Sequence, residues 1–154
     1  MTTARAVQED SVTGASTIQK STQGAAHTLP RGSPPYPAGA TPVTGASGNV
    51  ANAAAAATLA AAAGVTTYIT GFEVTGAGAT AGLPVIVTVT GGIGGTLSFI
   101  AVAAVGALVA NAPLLVEFPV AIPASAVNTA IVVTVPALGL GNTHSTVVAH
   151  GYRL

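Results

Sequence analysis

Hydrophobic and polar positions alternate with a period of two through most of the second two-thirds of the chain, and each alternating run predicts a β-strand. In residues 67–75 (TYITGFEVT) the alternation places Tyr68, Thr70, Phe72 and Val74 on one face and Ile69, Glu73 and Thr75 on the other. Residues 85–90 (VIVTVT) set Val85, Val87 and Val89 against Ile86, Thr88 and Thr90. The run Gly91-Gly92-Ile93-Gly94-Gly95 follows, and 97–105 opens as another strand, so this pair predicts a hairpin. Residues 114–122 (LLVEFPVAI) send Leu114, Val116, Phe118, Val120 and Ile122 inward. Glu117 and Pro119 then point outward, where a charge is tolerated and a proline marks an edge or a bulge. Residues 129–135 give Ile131, Val133 and Val135 inward, and 143–152 supply the last strand.

One region is ambiguous by pattern. The alanines at 53–57 and 60–63 favour a helix by propensity, yet a strand, or a strand entered from a short helix, fits residues 50–62 equally well, and the flanking Asn49 and Gly64 suit either. No amphipathic helical stripe of globular length occurs after Gly64. The expected architecture is all-β, a jelly-roll-like sandwich of about seven to eight strands.

The first 47 residues read differently. Thr, Ser, Gly, Ala, Gln and Pro dominate, and Pro30, Pro34, Pro35, Pro37 and Pro42 punctuate the second half. Such a stretch buries too little apolar surface to offset its ordering entropy alone. The expectation is an extended arm over 1–47, near polyproline II across 31–42, without structure in isolation and held by a neighbouring subunit. The sandwich body then spans 48–154.

Charge sharpens this division. Between Arg31 and Arg153 the only formally charged side chains are Glu73 and Glu117, whereas Arg5, Glu9, Asp10, Lys20 and Arg31 crowd the first 31 residues. An ordinary soluble domain is about a quarter charged; this chain is 5% charged, with a net charge of zero. Weak colloidal repulsion favours self-association. Without a basic face to neutralise phosphates, nucleic-acid binding is not expected. The absence of cysteine excludes disulfides and thiolate zinc sites. Residues 1–8 carry Arg5 but lead into Glu9 and Asp10 and not into an apolar stretch, unlike a conventional signal peptide. The uncharged run 97–116 has about the length of a bilayer span. Gly106, Asn111 and Pro113 interrupt it and no Lys or Arg flanks it, so strand and loop are expected there and no membrane partner.

Candidate chemistry is sparse. The glycine clusters 76–82 and 91–95 lack the Gly-Lys-Ser/Thr of a phosphate loop and read as turns. Glu73 and Glu117 lie on different strands at outward positions, which suits solvated or interfacial carboxylates better than a glycosidase pair. His144 and His150 share one strand six residues apart, too far to chelate one ion unaided. Ser98, Ser125 and Ser145 show no nucleophile elbow. Thr67, Thr75, Thr88, Thr90 and Thr134 are read as outward threonines, which are good strand residues and lack the regular repeat of an ice-binding surface. The chain is therefore read as a non-enzyme with no catalytic residue, cofactor or metal.

The body, with YITGFEVTGAGAT, LLVEFPVAIPASAVNTAIVVTVPALGLGNT and the closing VVAHGYRL, resembles small virion proteins of tailed bacteriophages and prophages, whose neutral Ala/Gly/Thr-rich β-sandwiches sit on the capsid or tail. The resemblance covers about two-thirds of the chain and rests on phrasing and composition. It implies a capsid decoration (cement) protein, made in the bacterial cytoplasm and located on the virion, bound as a homotrimer to a lattice of major capsid protein. The arm would bind that lattice through Pro34, Pro35, Tyr36 and Pro37, with Tyr36 as aromatic anchor. A different class of function, a receptor- or glycan-binding module of a tail, neck or fibre, would need exposed aromatics or polar clusters at loop tips.

Overall fold

The structure, a computed structural model, describes the backbone of residues 5–9, 16–20 and 26–28 and residues 36–154 in full. Two compact units divide between Ala38 and Gly39. In the first, β1 (Arg5–Glu9), β2 (Ser16–Lys20) and β3 (Ala26–Thr28) form an antiparallel sheet in chain order. Its register sets Val7 opposite Ile18 and Ile18 opposite His27. This differs from the expectation of an arm without regular structure of its own: three polar segments, each too short to show a period, pair their backbones with one another.

The second unit is all-β. Its eight strands are β4 (Thr41–Ala46), β5 (Ala55–Leu59), β6 (Thr67–Ala77), β7 (Pro84–Thr90), β8 (Leu97–Val102), β9 (Leu114–Pro123), β10 (Ile131–Val135) and β11 (His144–Arg153). Two four-stranded antiparallel sheets result, one ordered β4-β11-β6-β9 and the other β5-β10-β7-β8. The pairs β4 with β11, β5 with β10, β6 with β9 and β7 with β8 are each antiparallel. The chain thus runs out along four strands, turns between β7 and β8, and returns along the other four. In that turn Gly94 and Gly95 adopt φ of 90° and 95°, which side chains with a Cβ rarely reach.

Thr41–Ala46, assigned to the arm by composition, is an edge strand of the body. Pro42 hid it, since a proline cannot donate to a ladder and is tolerated only where one side of the strand is unpaired. The alanine-rich segment resolves as strand: Ala55, Ala57 and Leu59 are fully buried while Ala56 and Thr58 face out. Tertiary burial of one face at period two outweighs alanine's intrinsic helix preference. Among the described residues no helix is long and apolar enough to cross a membrane.

The core lies between the sheets, built on Leu59, Ile69, Ile131, Val133, Val135, Val147 and Val87, all without exposure. The inward positions Val85, Val87 and Val89, and Ile131, Val133 and Val135, are as the alternation requires. On β6 a bulge between Ile69 and Gly71 changes the phase, so Thr67 and Ile69 face inward together with Phe72 and Val74. Ile69 and Thr67, expected outward, are therefore core residues, and Tyr68 and Thr70 face out. The same irregularity acts on β9. Ile69 faces Ile122 while Gly71 faces Glu117, so five steps of β9 oppose two of β6. Val120, expected inward, lies in that excess beside Pro119 and is 81% exposed.

Tyr68 and Tyr152 stack at a centroid distance of 4.8 Å and an interplanar angle of 11°. Burial of the Tyr152 phenol, and next its proximity to Tyr68, raise its pKa above the ordinary value. A raised folded-state pKa contributes stability that is complete below the unfolded tyrosine pKa of about 10 and is lost as pH rises through the folded value. Unfolding midpoints in denaturant should therefore fall from pH 9 upward, and Tyr152→Phe should flatten that decline.

Candidate association surface

The sandwich is closed along one side and open along the other. On the closed side β4 lies directly on β5: a Cβ at Gly45 would stand 2.8 Å from the backbone nitrogen of Thr58, so only glycine permits the approach. The inward residues of β5 and β10 are wholly buried. On the opposite side the inward residues Leu97 and Phe99 of β8, and Leu114, Val116 and Phe118 of β9, are only half-buried. Phe72, Phe99 and Phe118 gather there, with centroids 5.2 Å apart for Phe72 and Phe99 and 6.4 Å for each of the other pairs. This aromatic cluster is the margin of the core.

Along that margin the outer surface of β7 and β8 is apolar. Ile86 on β7 pairs with Ile100 on β8, and Pro84 with Val102. Ile86, Ile100 and Val102 are 56%, 70% and 63% exposed, and Leu115 of β9 is 67% exposed. The apolar surface continues onto loops at one end of the sandwich, where Leu83, Leu108 and Leu140 stand exposed. The loop carrying Leu108 is held in place: Gly106 N–H donates to Ala79 O (2.8 Å), Asn111 N–H to Gly76 O (2.7 Å) and Ala104 N–H to the Asn111 side-chain oxygen (2.7 Å). Leu83 and Leu140 also border an open depression with Asn52, Ala137, Gly139 and Gly141.

The ionisable side chains are segregated. The outer face of the β5-β10-β7-β8 sheet presents only Ala, Thr, Val, Pro, Ile and Ser. Glu73, Glu117, His144 and His150 all lie on the outer face of the other sheet. There Glu73 stands half-buried with Leu115 and Val148 as its register partners. Glu117 is two residues beyond Leu115 and so a diagonal neighbour of Glu73, and Gly71 separates it from His150. Thr143 and His144 share a hydrogen bond of 2.9 Å. Among the described residues no three His, Asp or Glu side chains converge to hold a metal ion. Arg153, on the last strand, donates from Nε and Nη2 to Ala60 O (3.0 and 2.6 Å) and ties the C-terminus to the end of β5.

Of the four arm residues singled out in the sequence, Pro34 and Pro35 lie outside the described residues. Tyr36 is half-buried in a bend and Pro37 is exposed. The open side of the sandwich was not anticipated; the signal present in the sequence was the pairing of Ile86 and Ile100 at outward positions of a hairpin. Comparison with protein-family models, with curated proteins and with solved structures finds no match.

Proposed function

We propose that this chain is a structural component of a phage virion, a capsid decoration (cement) protein that binds and stabilises a head lattice of major capsid protein through its N-terminal unit and through association of its own bodies. The observation that carries this reading is the charge-free outer face of the β5-β10-β7-β8 sheet, with Ile86, Ile100 and Val102 exposed on it. Each half-exposed aliphatic side chain contributes about 1 kcal/mol when a partner covers it, and a lattice multiplies that modest term over many copies. No step of chemistry is needed, since the work is resistance to expansion or rupture.

The strand order supports reading the body as a jelly roll, because a ribbon of four antiparallel pairs folded into two facing sheets is that topology. Jelly rolls serve both viral capsids and lectins, so the surface must choose between them. Loop tips here present Leu83, Leu108 and Leu140. The tyrosines of the body, Tyr68 and Tyr152, turn their ring faces to each other and not to a ligand. Both features favour packing over sugar recognition.

Co-sedimentation with undecorated phage heads tests the reading: saturable binding and a higher temperature of head rupture are expected, and no binding to any such head would refute it. Removing residues 1–38, which spares β4, should leave the β-sheet circular dichroism signal of the body intact and weaken head binding at least tenfold. Tyr36→Ala in the full chain should weaken binding by about tenfold, the scale of an interface aromatic anchor.

A further inference from the structure

We propose that two copies of this chain pair edge to edge through β8, antiparallel across a twofold axis, and join their β5-β10-β7-β8 sheets into one continuous sheet. The inference deepens the proposed function and rests on it, naming the surface through which the bodies associate.

Four edges are exposed in the two sheets, and they are not equivalent. β4 carries Pro42, and β9 carries Glu117, Pro119 and a three-residue irregularity, all devices that discourage strand addition. β5 is approached closely by β4, where an added Cβ at Gly45 would meet the Thr58 backbone. β8, with the sequence LSFIAV, has no charge, proline or bulge, and it ends its sheet with one side unpaired among the described residues. Its six residues offer about 20 Å of free ladder.

A twofold contact is self-complementary, and residues near its axis meet their own copies, so a charge there would face its like. The neighbourhood of β8 on its own sheet contains no charge, which makes it compatible with itself. Pairing through β9 would instead place both copies of Glu117 in the shared ladder. A register centred on Ile100 lines up Ile86, Ile100 and their two copies in one apolar row on the outer face. On the inner face it sets the half-buried Phe99 of each copy opposite Ala101 of the other and diagonal to the other Phe99, which carries the margin of the core across the axis. A partner of different sequence would need no such self-compatibility; the absence of charge selects a second copy.

Native mass spectrometry and hydrogen exchange of the full chain test the proposal. The expected result is a species of two copies, with amide exchange across Leu97–Val102 slowed at least tenfold in concentrated against dilute solution. Ile100→Lys, at an exposed site, should leave the fold intact and weaken pairing at least a hundredfold, because two ammonium groups would face each other. Thr44→Lys on the outer face of β4 should leave pairing unchanged. A three-copy species, unaltered exchange in β8, or pairing that survives Ile100→Lys would each overturn the proposal. Head binding, measured separately on the wild-type chain and on Ile100→Lys, distinguishes failure of this contact from failure of the functional reading, since only the latter predicts no binding by the wild-type chain.

Discussion

Replacing Gly151 by alanine is expected to destabilise the body by about 3 kcal/mol and to lower its melting temperature by roughly 10 °C. The cause is space, not backbone conformation. Gly151 sits where β11 and β6 shift register, opposite Ile69, and its inward direction points at the neighbouring strand. A Cβ built there collides with the Tyr68 carbonyl oxygen and stands 3.0 Å from both the Tyr68 carbonyl carbon and a methyl of Leu59. Leu59 is fully buried and the other two atoms belong to the backbone of β6, so nothing nearby yields cheaply. The bulge that puts Ile69 in the core would have to open. Thermal unfolding followed by circular dichroism measures the effect, and a melting temperature within 2 °C of wild type would refute this account of the bulge.

The second large effect separates the two kinds of isoleucine in the body. Ile131 has no exposure and lies opposite Leu59 in the centre of its sheet. Truncation to alanine should cost about 3 to 4 kcal/mol, the lost transfer energy plus the cavity that a surrounded site retains. That is a large part of the 5 to 15 kcal/mol that holds an ordinary domain together. Ile86, on the outer face, should behave oppositely: Ile86→Ala should change the stability of a single copy by no more than about 0.5 kcal/mol while weakening association several-fold. Denaturant titration of both variants at a concentration below association gives the first pair of numbers, and sedimentation gives the last. Equal losses of stability would show that Ile86 belongs to the core and that the apolar outer row has no role in assembly.

The sandwich was legible where alternation was unbroken. The valines of VIVTVT and of AIVVTV announce their faces directly, and the glycine run between β7 and β8 announces the hairpin. Legibility failed where a local event altered the phase. A bulge at Gly71 reverses the sense of every position before it, and nothing in TYITGFEVT distinguishes a glycine that bulges from one that merely lies in a strand. Val120 was misplaced by the same event seen from the partner strand. Thr41–Ala46 was obscured by Pro42, whose cost depends on whether the strand is at an edge, a property of the sheet and not of the segment. The alanine tract was undecided because local propensity and burial point opposite ways. As for the surface, its neutrality could be read from composition alone, but its openness on one side arises from how β4 closes over β5, which no single segment encodes.

The central claim is that this uncharged body associates through apolar contact. Sedimentation velocity of the full chain across a range of salt concentrations tests it most directly. The account predicts a species heavier than the single chain of 14.7 kDa, whose formation is unchanged or strengthened as salt rises, because ion pairs are not what joins the copies. A single-chain species at every concentration, or an assembly that dissociates as salt is raised, would contradict it.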